Sequence, residues 1–202
     1  MPGAGPVSIR VEALVGPAMA HALPALARLR IEVFRDFPYL YDGTLDYEAG
    51  YLERLASSKG AVIVGAFDGD DVVGCATAMP MAEEHPEFLR PVLDFGLDPE
   101  KIYYLAESVL RTHYRGQGIG HRFFDLREEQ ARRLGGFRSA MFCGVVRPDD
   151  HPARPVGYRP LDPFWRKRGY APVDGLVGSF TWRDVGEVAA TGKPMQFWMK
   201  QL

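Results

Sequence analysis

KIYYLAESVLRTHYRGQGIGHRFFDLREEQARRL, residues 101–134, contains the clearest structural pattern in the chain. Its apolar, aromatic and β-branched run over 102–110 is typical of a buried strand. Residues 119–134 place apolar side chains at helical spacing, and the helix is expected to end at Gly135-Gly136. The stretch therefore predicts a strand, a glycine-rich turn and an amphipathic helix.

The turn Arg115-Gly116-Gln117-Gly118-Ile119-Gly120 places three glycines at alternate positions where the helix begins. The N–H groups of a first helical turn have no intrahelical partner, and the helix dipole adds positive charge there. The turn therefore suits an anion such as pyrophosphate, beside the cation of Arg115. A Walker loop fits poorly because His121-Arg122 follow Gly120. A tight strand–helix connection without a ligand is the alternative interpretation.

Composition narrows the class of protein. A chain of 202 residues with 47% hydrophobic and 25% charged residues is expected to form one soluble domain. The net charge of −2 argues against binding to nucleic acid. No signal-peptide pattern or membrane-spanning apolar stretch is present, so we expect a cytoplasmic protein. Cys75 and Cys143 lie in separate apolar runs and the histidines lack ligand spacing, so no disulfide or metal is expected.

The hydrophobic periodicity of the remaining sequence predicts its strands and helices. We expect a flexible tail over residues 1–6 and a single domain over residues 7–202. Pro24 is expected to perturb the first turns of its helix. Strands are predicted over 7–14, 61–67, 72–79, 139–146, 176–183 and 195–200, and helices over 17–34, 46–57, 84–95 and 162–168.

The central stretch resembles the GNAT N-acetyltransferase superfamily. Its signature, Gln/Arg-x-x-Gly-x-Gly/Ala after a strand, is matched by Arg115–Gly120 at every specified position. The resemblance implies an α/β (α+β) fold with a mixed, mostly antiparallel central sheet flanked by helices. Its fourth and fifth strands, over 102–110 and 139–146, are expected to splay apart and admit the pantetheine arm of acetyl-coenzyme A. Acetyl-coenzyme A is then the acyl donor, with no metal.

The resemblance also implies coenzyme-binding positions. A backbone N–H near Leu110 is expected to polarise the thioester carbonyl. Trp165 occupies the position where the family often places a tyrosine general acid, so it is expected to pack along the pantetheine arm or in the core. Tyr158 is a candidate replacement for that acid. The implied coenzyme-binding residues are Ser108, Val109, Leu110, Arg115, Gly116, Gln117, Gly118, Ile119, Gly120 and Trp165.

Glu107 is the unusual residue of the central strand. A carboxylate removed from water gains proton affinity, which suits a general base, and the family often places an acidic group here. A buried Glu paired with an Arg for structure is the alternative. A bulge would change which face meets the substrate. Alternation assigns Tyr103, Leu105 and Val109 to one face, and Tyr104, Ala106 and Leu110 to the other.

The acceptor is expected to be a primary amine, on a small molecule or a peptide, that attacks the thioester directly in a ternary complex. Phe37, Tyr39, Tyr41 and Glu48 lie where the family's first two helices flank the acceptor, and aromatic rings with a nearby acid suit an amine. A satellite core cluster is the alternative for these residues. A non-catalytic module that senses acyl-coenzyme A is the rival function.

Large aromatic residues near the C-terminus predict how the chain assembles. Phe180-Thr181-Trp182 and Phe197-Trp198 lie in the last two predicted strands, close to an edge of the expected sheet. An exposed apolar edge invites association, and family members often dimerise there. We therefore expect a homodimer.

Overall fold

The computed structural model describes residues 9–202, which form one eight-stranded sheet with helices on both faces. The predicted tail and the first two residues of the predicted first strand lie outside these residues. The strands are β1 Arg10–Leu14, β2 Val62–Asp68, β3 Asp71–Pro80, β4 Ile102–Tyr104, β5 Ser108–Leu110, β6 Ser139–Val145, β7 Ala171–Trp182 and β8 Thr191–Gln201. The α-helices are α1 Leu23–Phe34, α2 Leu45–Ser57, α3 Pro86–Asp94, α4 Ile119–Leu134 and α5 Asp162–Lys167.

The sheet has the order β1-β2-β3-β4-β6-β8-β7, with β5 paired to β3 alone. Every pair is antiparallel except β4–β6, where Tyr104 is in register with Met141. The expected mixed, mostly antiparallel architecture is therefore confirmed. No helix within residues 9–202 has both the length and the apolar character needed to cross a bilayer.

The central strand is not continuous, contrary to the prediction over 102–110. It breaks at residues 105–107 into β4 and β5. β4 pairs with both β3 and β6, whereas β5 stays on β3, with Gly74 opposite Leu110 and Ala76 opposite Ser108. Because β5 does not pair with β6, the second half of β6 pairs with β8 alone and a gap opens between β5 and β6. This gap is the expected splay.

The break also reverses the faces of the strand, so the predicted alternation is wrong beyond Ala106. Tyr103 and Leu105 pack beneath α4 as expected, but Val109 packs against α1 on the opposite face. The buried side chain of Arg127 occupies the break. Its Nη1 donates to the backbone carbonyls of Thr77 and Glu107, at 3.2 and 3.1 Å. The same two carbonyls also accept from the Ala106 and Thr77 N–H groups, so Arg127 adds a second donor to each.

Helices α4 and α5 cover one face of the sheet, and α1, α2 and α3 cover the other. The predicted helix over 17–34 is divided into a 3-10 turn, Gly16–His21, and α1. Pro24 explains the division because proline lacks an N–H donor and is tolerated only in a first turn, where it lies in α1. Helix α2 begins after Thr44, whose hydroxyl accepts from the Tyr47 N–H.

Most of the C-terminal aromatic residues face the interior of the chain. Phe180, Phe197 and Trp198 are each less than 5% exposed. They form part of the packing between the sheet and the helices and are not available to a partner. Trp182 is only partly buried. The expected homodimer remains a prediction, and three of the four aromatic residues that suggested its interface are not exposed.

Candidate functional site

A cavity of about 1070 Å³ occupies the gap between β5 and β6. The glycine turn that precedes α4 lines one end of the cavity. The segments over 33–39 and 145–159 line the other end, and residues 105–108 together with β6 form its middle. The break in the central strand therefore creates the space, because a continuous strand would have paired with β6 throughout.

Glycine backbone, without side chains, lines the first end of the cavity. Gly116 and Gly118 have φ values of +76° and +80°, in the left-handed region that favours glycine. A Cβ on either would meet no atom within 4 Å, so their backbone lies beside open space. Gly120 differs from them, because a Cβ there would make an ordinary contact, 3.5 Å from the Phe164 ring on α5. The first turn of α4 thus presents N–H groups suited to a phosphate.

The cavity brings together most, but not all, of the predicted coenzyme residues. Val109 and Ile119 are buried in the core, and Gln117 turns away to donate to the His113 carbonyl at 3.1 Å. The predicted residues that line the cavity are Ser108, Leu110, Arg115, Gly116, Gly118, Gly120 and Trp165.

Trp165 forms part of the cavity wall and also packs in the core. Its ring lies against Gly144 of β6, where a Cβ would come within 2.8 Å of it. Its ring centroid is 5.0 Å from that of Phe142 and 5.1 Å from that of Trp198. The indole therefore needs a glycine on β6 to reach the gap, a dependence that neither residue reveals in sequence.

Glu107 lines the cavity and is 7% exposed. Its Oε2 accepts from Arg30 Nη1 at 2.6 Å and from the Tyr51 hydroxyl. Its Oε1 accepts from the Thr77 hydroxyl at 2.7 Å. The arginine pairing foreseen as the structural alternative is therefore present. A carboxylate accepts about four hydrogen bonds, so one position remains for a water molecule or an amine.

Arg30 joins Glu107 to a second carboxylate. Its Nε donates to Glu48, which is fully buried and accepts from the Tyr41 hydroxyl at 2.8 Å. Burial lowers the pKa of Arg30, but the neighbouring carboxylates outweigh that effect and raise it. Glu48 and Tyr41, both expected beside the acceptor, do not line the cavity and instead form a layer behind Glu107.

Glu84 is a third buried carboxylate near this layer, and nothing in its polar sequence context indicated it. It is 3% exposed, and its Oε2 accepts from the His85 N–H at 2.5 Å. Its Oε1 has no hydrogen-bond partner within residues 9–202. Burial, together with the charge of Glu107, raises the pKa of Glu84 to about 7, despite the opposing hydrogen bond from His85.

Aromatic rings form the second end of the cavity. The Phe37 ring meets the Tyr158 ring edge-on at 4.7 Å, and Tyr39 lies 4.5 Å from Phe34. All four residues line the cavity. Burial raises the pKa of Tyr158, which favours its protonated form. Phe37 and Tyr39, which the sequence analysis expected beside the acceptor, thus line the cavity together with Phe34 and Tyr158.

Sequence reasoning missed several residues that shape the site. Arg30 and Tyr51 are separated from Glu107 by 77 and 56 positions along the chain. They lie on helices whose patterns reveal only which side is apolar. Within residues 9–202, no group of three or more His, Cys, Asp or Glu side chains is arranged to hold a metal ion.

Comparisons with known proteins match this geometry. The Acetyltransferase (GNAT) family matches residues 26–170, while no curated protein matches the chain. Ribosomal-protein-alanine N-acetyltransferase from Brucella melitensis is 17% identical, with coverage of 96% of this chain and 99% of that one and a TM-score of 0.60. Arabidopsis thaliana NAA60 in complex with acetyl-CoA is 12% identical, with coverage of 96% and 99% and a TM-score of 0.60. A GNAT-family acetyltransferase from Streptococcus pneumoniae is 16% identical, with coverage of 96% and 100% and a TM-score of 0.57.

At these identities the solved structures show the fold, and the family match carries the assignment. That match spans more than half of the chain and includes the glycine turn, the broken strand and most of the cavity. An enzyme is therefore favoured over the rival acyl-coenzyme A sensor. The chain belongs to the GNAT acetyltransferase family and is an acyltransferase.

Proposed function

We propose that this enzyme moves an acetyl group from acetyl-coenzyme A to a primary amine, with both substrates bound at once. The observation that carries the proposal is that the glycine turn and Glu107 line one continuous cavity. Coenzyme phosphates at the first end and an amine at the second would meet near the break between β4 and β5. No covalent enzyme intermediate is then required.

The transfer is a direct displacement. The amine nitrogen attacks the thioester carbon, a C–N bond forms, and the C–S bond of the tetrahedral intermediate breaks. The nitrogen loses a proton to Glu107, directly or through a water molecule held at its free acceptor position. A thiol has a pKa of about 8.5, the cysteine value, so the leaving group can depart largely as thiolate and needs little acid assistance. Tyr158 is the candidate donor for that remaining assistance.

The register of β5 supplies a donor for the developing oxyanion. The Arg111 N–H donates to Val73 of β3 at 3.1 Å. Because N–H groups alternate sides along an antiparallel strand, the Leu110 N–H points to the opposite side, into the gap beside β6. A donor at this place favours the tetrahedral intermediate over the planar thioester.

The aromatic end of the cavity favours an amine carried on an apolar or aromatic body. Phe34, Phe37, Tyr39 and Tyr158 offer ring faces and edges to such a group. An amine that arrives protonated gains cation–π attraction to these rings, releases that proton to solvent, and then attacks as the neutral amine. Arylalkylamines are therefore the first acceptors to try, ahead of small amines without a ring.

The test is an acetyl-transfer assay with a panel of primary amines. Free thiol and acetylated amine are measured together, the second by mass spectrometry. We expect both products in equal amounts with an arylalkylamine, and neither above background with its N,N-dimethyl analogue, which has no N–H to lose. A protein that binds acetyl-coenzyme A but acetylates no amine in the panel would overturn this function.

A further inference from the structure

The segment over residues 36–42, here called the acceptor loop, carries Phe37 and Tyr39 into the cavity. It is held from outside by the turn between β7 and β8. The Val185 N–H donates to the Leu40 carbonyl at 2.7 Å, and the Asp42 N–H donates to the Arg183 carbonyl at 2.9 Å. The wall of the acceptor end is thus fixed by residues more than 140 positions further along the chain.

The acceptor loop does not hold its shape by its own preference. Leu40 has a φ of +54°, in the left-handed region that costs a branched residue roughly 1–3 kcal/mol. Such a backbone persists only where surrounding contacts impose it. The loop would therefore relax if those contacts were weakened, and the Phe37 and Tyr39 rings would move with it.

Arg147 makes two hydrogen bonds to the backbone of the acceptor loop. Its side chain is 8% exposed and follows directly from the end of β6. Its Nε donates to the Pro38 carbonyl and its Nη2 to the Tyr39 carbonyl, both at 2.8 Å. Nη1 and Nη2 donate to the two carboxylate oxygens of Asp184, at 2.7 and 2.9 Å. Only a planar guanidinium fork can reach all four acceptors.

Asp184 completes the arrangement. It is 7% exposed and lies 3.5 Å from Lys193 Nζ, so its charge is balanced from two sides. The Trp182 indole adds a further donor to the Tyr39 carbonyl at 3.0 Å. These residues do not line the cavity. Their influence on the cavity passes through Arg147 and the acceptor loop.

We propose that Arg147, held by Asp184, is a positioning residue that sets the fit of the acceptor. It fixes the strained loop that presents Phe37 and Tyr39, and it leaves the coenzyme end unaffected. This inference rests on the proposed function, because it assigns the second end of the cavity to the acceptor. It adds that acceptor affinity is governed by an ion pair between Arg147, which itself lines the cavity, and Asp184, which lies behind it.

The test compares wild type with Arg147→Lys, which keeps the charge opposite Asp184 but cannot make the four hydrogen bonds. We expect the KM for an arylalkylamine to rise about tenfold to a hundredfold, since displacements of about 1 Å can cost this much. The affinity for acetyl-coenzyme A, measured by calorimetry, should change less than about twofold. Amide hydrogen exchange at Tyr41, Asp42 and Val185 should become faster.

Arg183→Lys is the matched control. Arg183 also pairs with an aspartate beside the loop, Asp42, but it is 46% exposed. An exposed pair contributes little, so its KM and exchange rates should stay near those of wild type. If Arg147→Lys does not fold, Asp184→Asn is the second variant, and the same changes are expected from it.

The readouts separate this inference from the proposed function. Hydrogen exchange needs no acceptor, so a wild-type protein that acetylates no amine would overturn the function and leave loop control to be decided by exchange. Unchanged exchange at the three amides would overturn the inference. An equal loss of acetyl-coenzyme A affinity would also overturn it, because it would indicate general destabilisation instead of local positioning.

Discussion

The two ends of the cavity are built in different ways. The coenzyme end is built mainly from the backbone of one short segment, 115–120, in which Gly116 and Gly118 lie beside open space. The acceptor end is lined by side chains from α1, the acceptor loop and the segment after β6, and α2 and the turn between β7 and β8 support these elements from behind. Pro38 and Arg147, which meet there, are 109 residues apart.

Under the proposed function, this difference follows from what each end recognises. A pyrophosphate can be bound by backbone N–H groups, which every residue supplies, so the requirement reduces to local geometry and to glycine. An amine on a variable body must be recognised by side-chain shape and charge. Those side chains can come from any part of the chain, and no short motif records them.

The sharpest way to test the acceptor side is Glu107→Gln. The amide keeps the shape of the side chain and can accept from Arg30, but it cannot take a proton from the amine. We expect turnover to fall by roughly 10²–10⁴-fold, the usual effect of removing a general base. Acetyl-coenzyme A affinity, measured by calorimetry, should barely change because Glu107 is distant from the glycine turn.

Glu48→Gln is the control for Glu107→Gln. Glu48 is also a buried partner of Arg30, but it does not line the cavity. Both variants should lower the free energy of unfolding by about 1–3 kcal/mol, since each weakens a charged hydrogen bond. Only Glu107→Gln should lose more than about tenfold in turnover. Equal losses in both variants would leave Glu107 as a structural carboxylate.

The coenzyme side is tested by Gly118→Asp. The new carboxylate would occupy the space beside the helix terminus and repel the phosphates, at a cost of about 1–4 kcal/mol. The left-handed backbone at Gly118 adds strain. We expect acetyl-coenzyme A affinity, measured by calorimetry, to fall by roughly 10²–10³-fold.

Gly118→Ala separates the two causes, because it introduces the same backbone strain without charge. It should lose much less affinity than Gly118→Asp. The folded state of both variants can be confirmed by circular dichroism. If Gly118→Asp bound the coenzyme as tightly as wild type, the glycine turn would not hold the phosphates.

The contrast also explains how far the sequence could predict this structure. The glycine turn, α4 and most strands were predictable because periodicity and glycine placement are local signals. The strand break was not predictable, because no local signal in residues 102–110 marks it, and Arg127, which donates to the Thr77 and Glu107 carbonyls beside it, comes from another element. Because side chains alternate along a strand, predicting a continuous strand where there is a break placed Val109 on the wrong face.

The residues of the candidate site also differ in how far the sequence could predict them. Glu107 was recognisable as a carboxylate in an apolar run, but its partners were not. Arg30 and Thr77 lie in elements that look ordinary in sequence, and their roles appear only when three elements meet. Glu48 was assigned to the acceptor by its position in a helix, whereas its fully buried side chain instead pairs with Arg30.

The smallest expected effect concerns the buried carboxylate of Glu84, which lies near the acceptor end. The pKa of Glu84 is raised from 4.5 to about 7 in the folded protein, so the folded chain binds more protons than the unfolded chain between these values. Stability therefore falls as the pH rises through this window, and the loss persists above pH 7. Glu84→Gln cannot ionise and should avoid that loss.

We expect Glu84→Gln to raise the free energy of unfolding by about 1–3 kcal/mol at pH 8, after allowance for an imperfectly paired amide. At pH 5 the advantage should largely disappear, because wild-type Glu84 is then protonated in the folded state. Urea unfolding at both pH values measures the difference. Glu83→Gln removes the adjacent, exposed carboxylate and should leave stability nearly unchanged at either pH. A gain for Glu84→Gln that is the same at pH 5 and pH 8 would show that the charge of Glu84 is not its cause.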